Sequence, residues 1–191
     1  MLKDTLCAGK VVGTTKISNV NAGQIHFNAH PGAADANKAA DLSIVGLGEG
    51  FAPADKKYAA CVDSRSSQSV TLGDDEYGVR GYGWNDNLGF ISFYCSAGNN
   101  EGKACGAQNY GVKISKADAS GNRSLSGYAW NESFGYISMS GGGAIPYGVT
   151  LNKSGQASGY AWSAAGIWVD FTNSSFQVPG TELVEEVVTK D

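Results

Sequence analysis

Three tyrosine and tryptophan pairs recur at a two-residue spacing: Tyr82 with Trp84, Tyr128 with Trp130, and Tyr160 with Trp162, each inside a Gly-Tyr-small-Trp tetrapeptide. On an extended strand that spacing puts both rings of a pair on one face, so successive pairs can align as a ladder. Exposed, such a ladder is a platform for sugar rings. Buried, it is the core between two layers, where large aromatics dominate the energetics. A residue that returns in every unit is expected to be there because every unit must pack, and the glycines beside the rings point to close backbone approach. The ladder is therefore expected to form the core.

Other residue clusters offer less. His26 and His30 have the spacing that lets two histidines on a helix hold zinc, but His26 lies between Ile25 and Phe27 in a strand-like stretch and His30 precedes Pro31. The run Asp74-Asp75-Glu76 and the loops at Asn85-Asp86-Asn87 and at Asp118 to Asn122 carry oxygen ligands of the kind calcium accepts, without the spacing of an EF-hand. Solvated turns are the expected reading, and no metal or cofactor is expected. Glu132 and Asp170 lie near the aromatics, as the two carboxylates of a glycosidase would. The chain holds no nucleophile elbow, no P-loop and no dinucleotide fingerprint, so it is not expected to be an enzyme.

Cys95 and Cys105 bracket the polar segment Ser96 to Ala104, which makes them the expected disulfide pair and leaves Cys7 with Cys61. Two disulfides would place the protein in an oxidising compartment. The alternative is four reduced, buried thiols. No two cysteines have the C-x-x-C spacing of a zinc site.

The rings sit in longer repeats. Asn85 to Phe93 and Asn131 to Met139 share a nine-residue pattern, and Ser163 to Phe171 follows it with Trp168 where the others have Phe90 and Tyr136. Asn19 to Phe27 is a degenerate copy. Self-similarity at this period means one small unit reused and stacked. Each unit reads as three strands: Tyr110 to Ile114 or Tyr147 to Leu151, a return through Leu125 to Trp130 or Ala157 to Trp162, and a third strand at Tyr136 to Met139 or Ile167 to Phe171. Turns with a glycine, Asp118 to Asn122 and Asn152 to Gln156, make the first two strands a hairpin. At Tyr77-Gly78-Val79 the same opening runs straight into Gly81-Tyr82-Gly83-Trp84, as though its hairpin had collapsed.

The expected organisation is a degenerate first repeat over 1–76 with an insertion at 29–57, then repeats at 77–109 (with the disulfide loop), 110–146 and 147–178. A charged, Val-rich tail over 179–191 follows, to be read as a cap, a linker, or an arm that pairs with a neighbouring subunit. The expected fold is all-β, three-stranded meanders stacked as a sandwich or a solenoid-like array.

Composition narrows the partners. The chain has 27 Gly and 4 Pro in 191 residues, and a net charge of -4 gives no attractive field for nucleic acid. No stretch approaches the roughly 20 apolar residues of a membrane span, and Met1 to Lys10 lacks the apolar stretch of a signal peptide. An exported form would need a leader that this chain does not show.

The segments Tyr147-Gly-Val-Thr-Leu151, Ser158-Gly-Tyr-Ala-Trp162 and Ser126-Gly-Tyr-Ala-Trp130-Asn-Glu-Ser-Phe-Gly-Tyr-Ile-Ser138 resemble a Gly-x-Ala-Trp-Ser-Glu-Asn-x-Gly-Trp-Ile-x-Phe repeat of secreted and envelope proteins of bacteria. The resemblance covers Tyr77 to Phe171 and departs from the pattern at Ala164-Ala165-Gly166. It implies an exported, surface-associated structural or binding protein. The expected function is a non-enzymatic extracellular or cell-surface protein: a filament, pilus or surface-layer subunit, or an adhesin segment, that associates with itself or with other surface proteins. The alternative is a carbohydrate-binding module that holds glycans on its aromatic platform.

Overall fold

The alternating segments of the sequence become β-strands in the computed structural model, which describes residues 9–17, 24–26, 60–63, 70–85, 89–95 and 110–179. The strands are β1 (Gly9–Ile17), β2 (Gln24–His26), β3 (Ala60–Asp63), β4 (Tyr77–Asn85), β5 (Gly89–Ser92), β6 (Tyr94–Cys95) and β7 (Tyr110–Ile114). They continue with β8 (Arg123–Asn131), β9 (Gly135–Ser138), β10 (Ser140–Gly141), β11 (Tyr147–Leu151), β12 (Ala157–Ser163), β13 (Ile167–Asp170) and β14 (Ser174–Phe176). No helix occurs among the described residues, and the fold is all-β with antiparallel pairing.

Turn chemistry closes the hairpins. Asp118 Oδ1 accepts the backbone N–H groups of Ser120 and Asn122, both at 2.8 Å, and Gly121 takes a φ of 82°. Asn152 Oδ1 does the same for Ser154 and Gln156 at 3.0 Å, ahead of Gly155 at 80°. An Asx side chain that satisfies the turn's own amides, next to a residue of positive φ, is a stable reversal. It joins β7 to β8 and β11 to β12.

A second glycine bends the long strands in their middle. Gly127 in β8 and Gly159 in β12 have φ of 84° and 93°, and their carbonyls accept the amides of Met139 and Phe171 at 3.0 Å. Gly81 in β4 repeats the arrangement with Phe93. Such a bulge kinks a strand and lets its two halves serve different neighbours. Thus the first half of β8 pairs with β7 and β11, and its second half with β9 and β5.

Both sets of halves close on themselves. Second halves pair in the order β4, β5, β8, β9, β12, β13, β1, β2 and back to β4. First halves run β4, β7, β8, β11, β12, then by the bridge Gln156 to Ser175 into β14, and on through β1 and β3 to β4. An open sandwich or array would leave long edges, whereas here only the short strands β6, β10 and β14 pair with a single described strand, and β14 is tied on its other side by the bridge from Ser175 to Gln156. The first and last described strands are joined, since β13 and β14 pair with β1. Tyr77-Gly78-Val79 does run straight into Gly81-Tyr82-Gly83-Trp84: Tyr77–Asn85 is one unbroken strand, and its first half lies between β3 and β7. The insertion at 29–57 and the tail from 180 onward lie outside the described residues.

Inside the closed sheet lie aliphatic side chains that alternate with outward residues: Leu125 and Ala129 on β8, Ile137 on β9, Val149 and Leu151 on β11, Ala161 on β12 and Val169 on β13. Full burial of each larger one contributes about 1.5–3 kcal/mol. Asp63 and Arg80 are buried as an ion pair at 2.7 Å, and the guanidinium lies 4.4 Å from the centre of the Tyr94 ring. Asn131 and Ser163 are the buried polar groups that fix the loops. Asn131 Oδ1 accepts the amides of Ser133 and Phe134, and the Ser163 hydroxyl donates to the Phe134 carbonyl at 2.8 Å.

Candidate functional site on the outer face

The inward set leaves the opposite set outside, and the opposite set holds the aromatics. Ala129 and Asn131 point in, so Tyr128 and Trp130 point out; Ala161 and Ser163 point in, so Tyr160 and Trp162 point out. Tyr128 is 50% exposed, Tyr160 45% and Tyr136 37%, while Trp130, Trp162 and Trp168 are half-buried. The expectation that the ladder is the core is overturned. The interior is filled from both halves of a closed eight-stranded circuit by aliphatic side chains together with Phe93, Phe171 and Phe176, and the repeated Tyr/Trp pairs are left on the other face.

Hydrogen-bond register arranges the rings. Three hairpins share one alignment: Trp84 stands opposite Phe90, Trp130 opposite Tyr136, and Trp162 opposite Trp168. Neighbouring hairpins then join in rows across the sheet. A first row runs Tyr82, Ser92, Trp130, Tyr136. A second, one hairpin further on, runs Tyr128, Ser138, Trp162, Trp168. Each row thus takes its tyrosine and serine from one hairpin and its last two rings from the next.

Edge-to-face contacts tie the rings together. Tyr136 packs on Trp130 at 4.7 Å between centroids, on Tyr128 at 5.9 Å and on Tyr110 at 6.0 Å. Trp168 packs on Tyr147 at 5.4 Å and on Trp162 and Tyr160 at 6.4 Å. Such pairs are worth about 0.5–1.5 kcal/mol each beyond the area they bury, which holds half-exposed rings in place. The serines are fixed alike: Ser92 Oγ donates to the Tyr94 carbonyl at 3.1 Å and Ser138 Oγ to the Ser140 carbonyl at 2.8 Å. Burial pushes the Tyr110 phenol up to about 12, against a pull the other way from the Ser92 hydroxyl, so it stays protonated at neutral pH.

Tyr82, Trp84, Tyr128, Trp130, Tyr160 and Trp162 are therefore brought to one outer belt by backbone register; the side chain of Trp84 lies outside the described set. Tyr136, Tyr147 and Trp168 belong with them, and the buried Tyr110 packs on Tyr136. Their signal was in the sequence, as the ring six residues after each tryptophan and the tyrosine that opens each hairpin.

The other candidates are dispersed. Asp75 pairs with Arg123 at 2.8 Å and Glu76 with Lys113 at 3.1 Å, so the acidic run ties β4's entry to β7 and β8. His26 stands on β2 opposite Thr14 and Trp84, and His30 lies outside the described residues. Glu132 sits in the turn after β8, whereas Asp170 ends β13 and accepts the Thr172 amide at 2.9 Å. Cys61 is on β3 and Cys95 on β6; Cys7 and Cys105, and with them both expected pairs, lie outside the described residues.

No helix among the described residues is long and apolar enough to cross a membrane. No family model, no curated protein and no solved structure matches the chain.

Proposed function

We propose that the protein is a non-enzymatic, surface-associated glycan-binding module that holds neutral sugar chains on its outer Tyr/Trp belt. One observation carries the reading: Tyr128, Tyr136 and Tyr160 are among the four exposed large hydrophobic residues described, and they frame three half-buried indoles. An exposed cluster of rings that the protein keeps in place by edge-to-face contacts is a binding surface rather than a packing residue of the core. Pyranose rings match it, since they present an apolar C–H face to a ring and hydroxyls to phenol, indole and serine groups. The resemblance to secreted and envelope proteins agrees with a ligand met outside the cell.

The filament or surface-layer reading draws on strand addition at a free edge. Among the described residues only short strands offer one, β6 and β10 with β14 held on its second side by a single bridge, so the belt is the stronger feature. Retention on insoluble cellulose or chitin tests the proposal: the protein should be held, Trp130→Ala and Trp162→Ala together should release it, and passage of the wild-type chain through glycan matrices of every class would sink it.

A further inference from the structure

Resting on the glycan reading of the belt, we infer that the two rows form one continuous track for an extended, unbranched, neutral β-1,4-linked glycan, rather than separate pockets for single sugars. The rows share strands β8 and β9 and are staggered along them: the first uses Trp130 and Tyr136, the second Tyr128 and Ser138. They also touch, because Tyr128 of the second row packs on Tyr136 of the first at 5.9 Å. From β8 to β13 the track crosses four adjacent strands, about 14 Å at ~4.8 Å per gap, which is room for a run of pyranose rings and not for one alone.

Charge and shape narrow the ligand. Neither row contains a carboxylate or a basic side chain in its register positions, so a neutral chain fits. The next row around the sheet differs: Tyr160 is followed by Asp170 and Lys16 in place of a serine and a tryptophan, and the aromatic track ends there. Rings borne on adjacent strands of a sheet present a broad, shallow surface. The sugars that lie flat on it are those with all-equatorial substituents, as in glucan or N-acetylglucosamine chains of the β-1,4 type. Ser138 has spent its proton on the Ser140 carbonyl, which leaves its oxygen as an acceptor for sugar hydroxyls.

Calorimetric titration of the full chain with glucose, cellobiose, cellotriose and cellohexaose, and with the matching chito-oligosaccharides, tests the track. Affinity should be unmeasurable for the monosaccharide, rise steeply to the trisaccharide that the track can hold, and change little beyond it, in at least one series. Trp130→Ala and Trp168→Ala, which remove rings on the outermost strands β8 and β13, should each lower hexasaccharide affinity roughly tenfold, as for loss of one ring contact. The wild-type length series needs no variant to fold. Equal affinity for monosaccharide and hexasaccharide would overturn the track and leave glycan binding standing; no binding in either series would overturn the track and count against the glycan reading itself.

Discussion

The carbonyl oxygen of Gly148 lies 2.0 Å from where a β-carbon on Gly159 would stand, and Gly127 meets Gly111 in the same way at 2.1 Å. Both glycines also hold positive φ, so an alanine there meets a clash with backbone and a strained conformation together. Gly159→Ala should lower unfolding stability by about 2 kcal/mol or more, as read by urea denaturation. Gly142→Ala, which enters open space, should change it by less than about 0.5 kcal/mol. Equal effects would mean that the bend at Gly159 is not required.

Closure of the circuit depends on β14. Phe176 is fully buried opposite Val11, and Gln156 Nε2 donates to the carbonyls of Thr172 at 2.8 Å and Ser174 at 3.0 Å. Phe176→Ala should cost about 3–5 kcal/mol. The same variant should show concentration-dependent oligomers by light scattering, since an opened circuit exposes the edge of β1 to another copy. A stable, monomeric Phe176→Ala protein would show that β14 is dispensable.

Acid should weaken the fold at the entry to β4. The Arg123 guanidinium beside Asp75, with the Ala117 amide at 3.2 Å, holds that carboxyl below its ordinary value of 3.8. The Gly73 amide and then Lys113 hold Glu76 below 4.5. Carboxyls depressed in the folded state add stability above their unfolded values and lose it as pH falls through the folded ones, so stability should decline below about pH 4.5. Asp75→Asn with Glu76→Gln should flatten that decline. The loss at neutral pH should stay modest, because both carboxylates are partly solvent-screened and Arg123 keeps the carbonyls of Asp75 and Ser115 as acceptors. An unchanged acid slope would assign the decline to other groups.

Hairpins were legible from residues that act locally. Asp118 and Asn152 announce their turns, and Tyr110-Gly-Val or Gly-Tyr-Ala-Trp130 announces a strand, because each depends on neighbours a few positions away. Which face turns inward was not legible. Alternation divides β8 into Tyr128 with Trp130 and Ala129 with Asn131, and ring size argued for burying the first set. The inward face is decided by how the circuit closes, and closure rests on Lys16 meeting Asp170 and Val11 meeting Phe176 across nearly the whole chain, contacts that no local pattern encodes. Tyr77-Gly78-Val79 reads as running on without a turn, as it does, but it copies the residues of β7 while occupying the position of β8's first half, which pairing and not composition decides.

Tryptophan fluorescence of the full chain, titrated with cellohexaose or chitohexaose, tests most directly whether the indoles of the belt are a binding face. Half-exposed Trp130, Trp162 and Trp168 should emit to the red, be quenched by iodide, and become bluer and protected as the oligosaccharide binds. Emission that is blue from the start, resistant to iodide and unmoved by any glycan would contradict the outward belt and the function proposed for it.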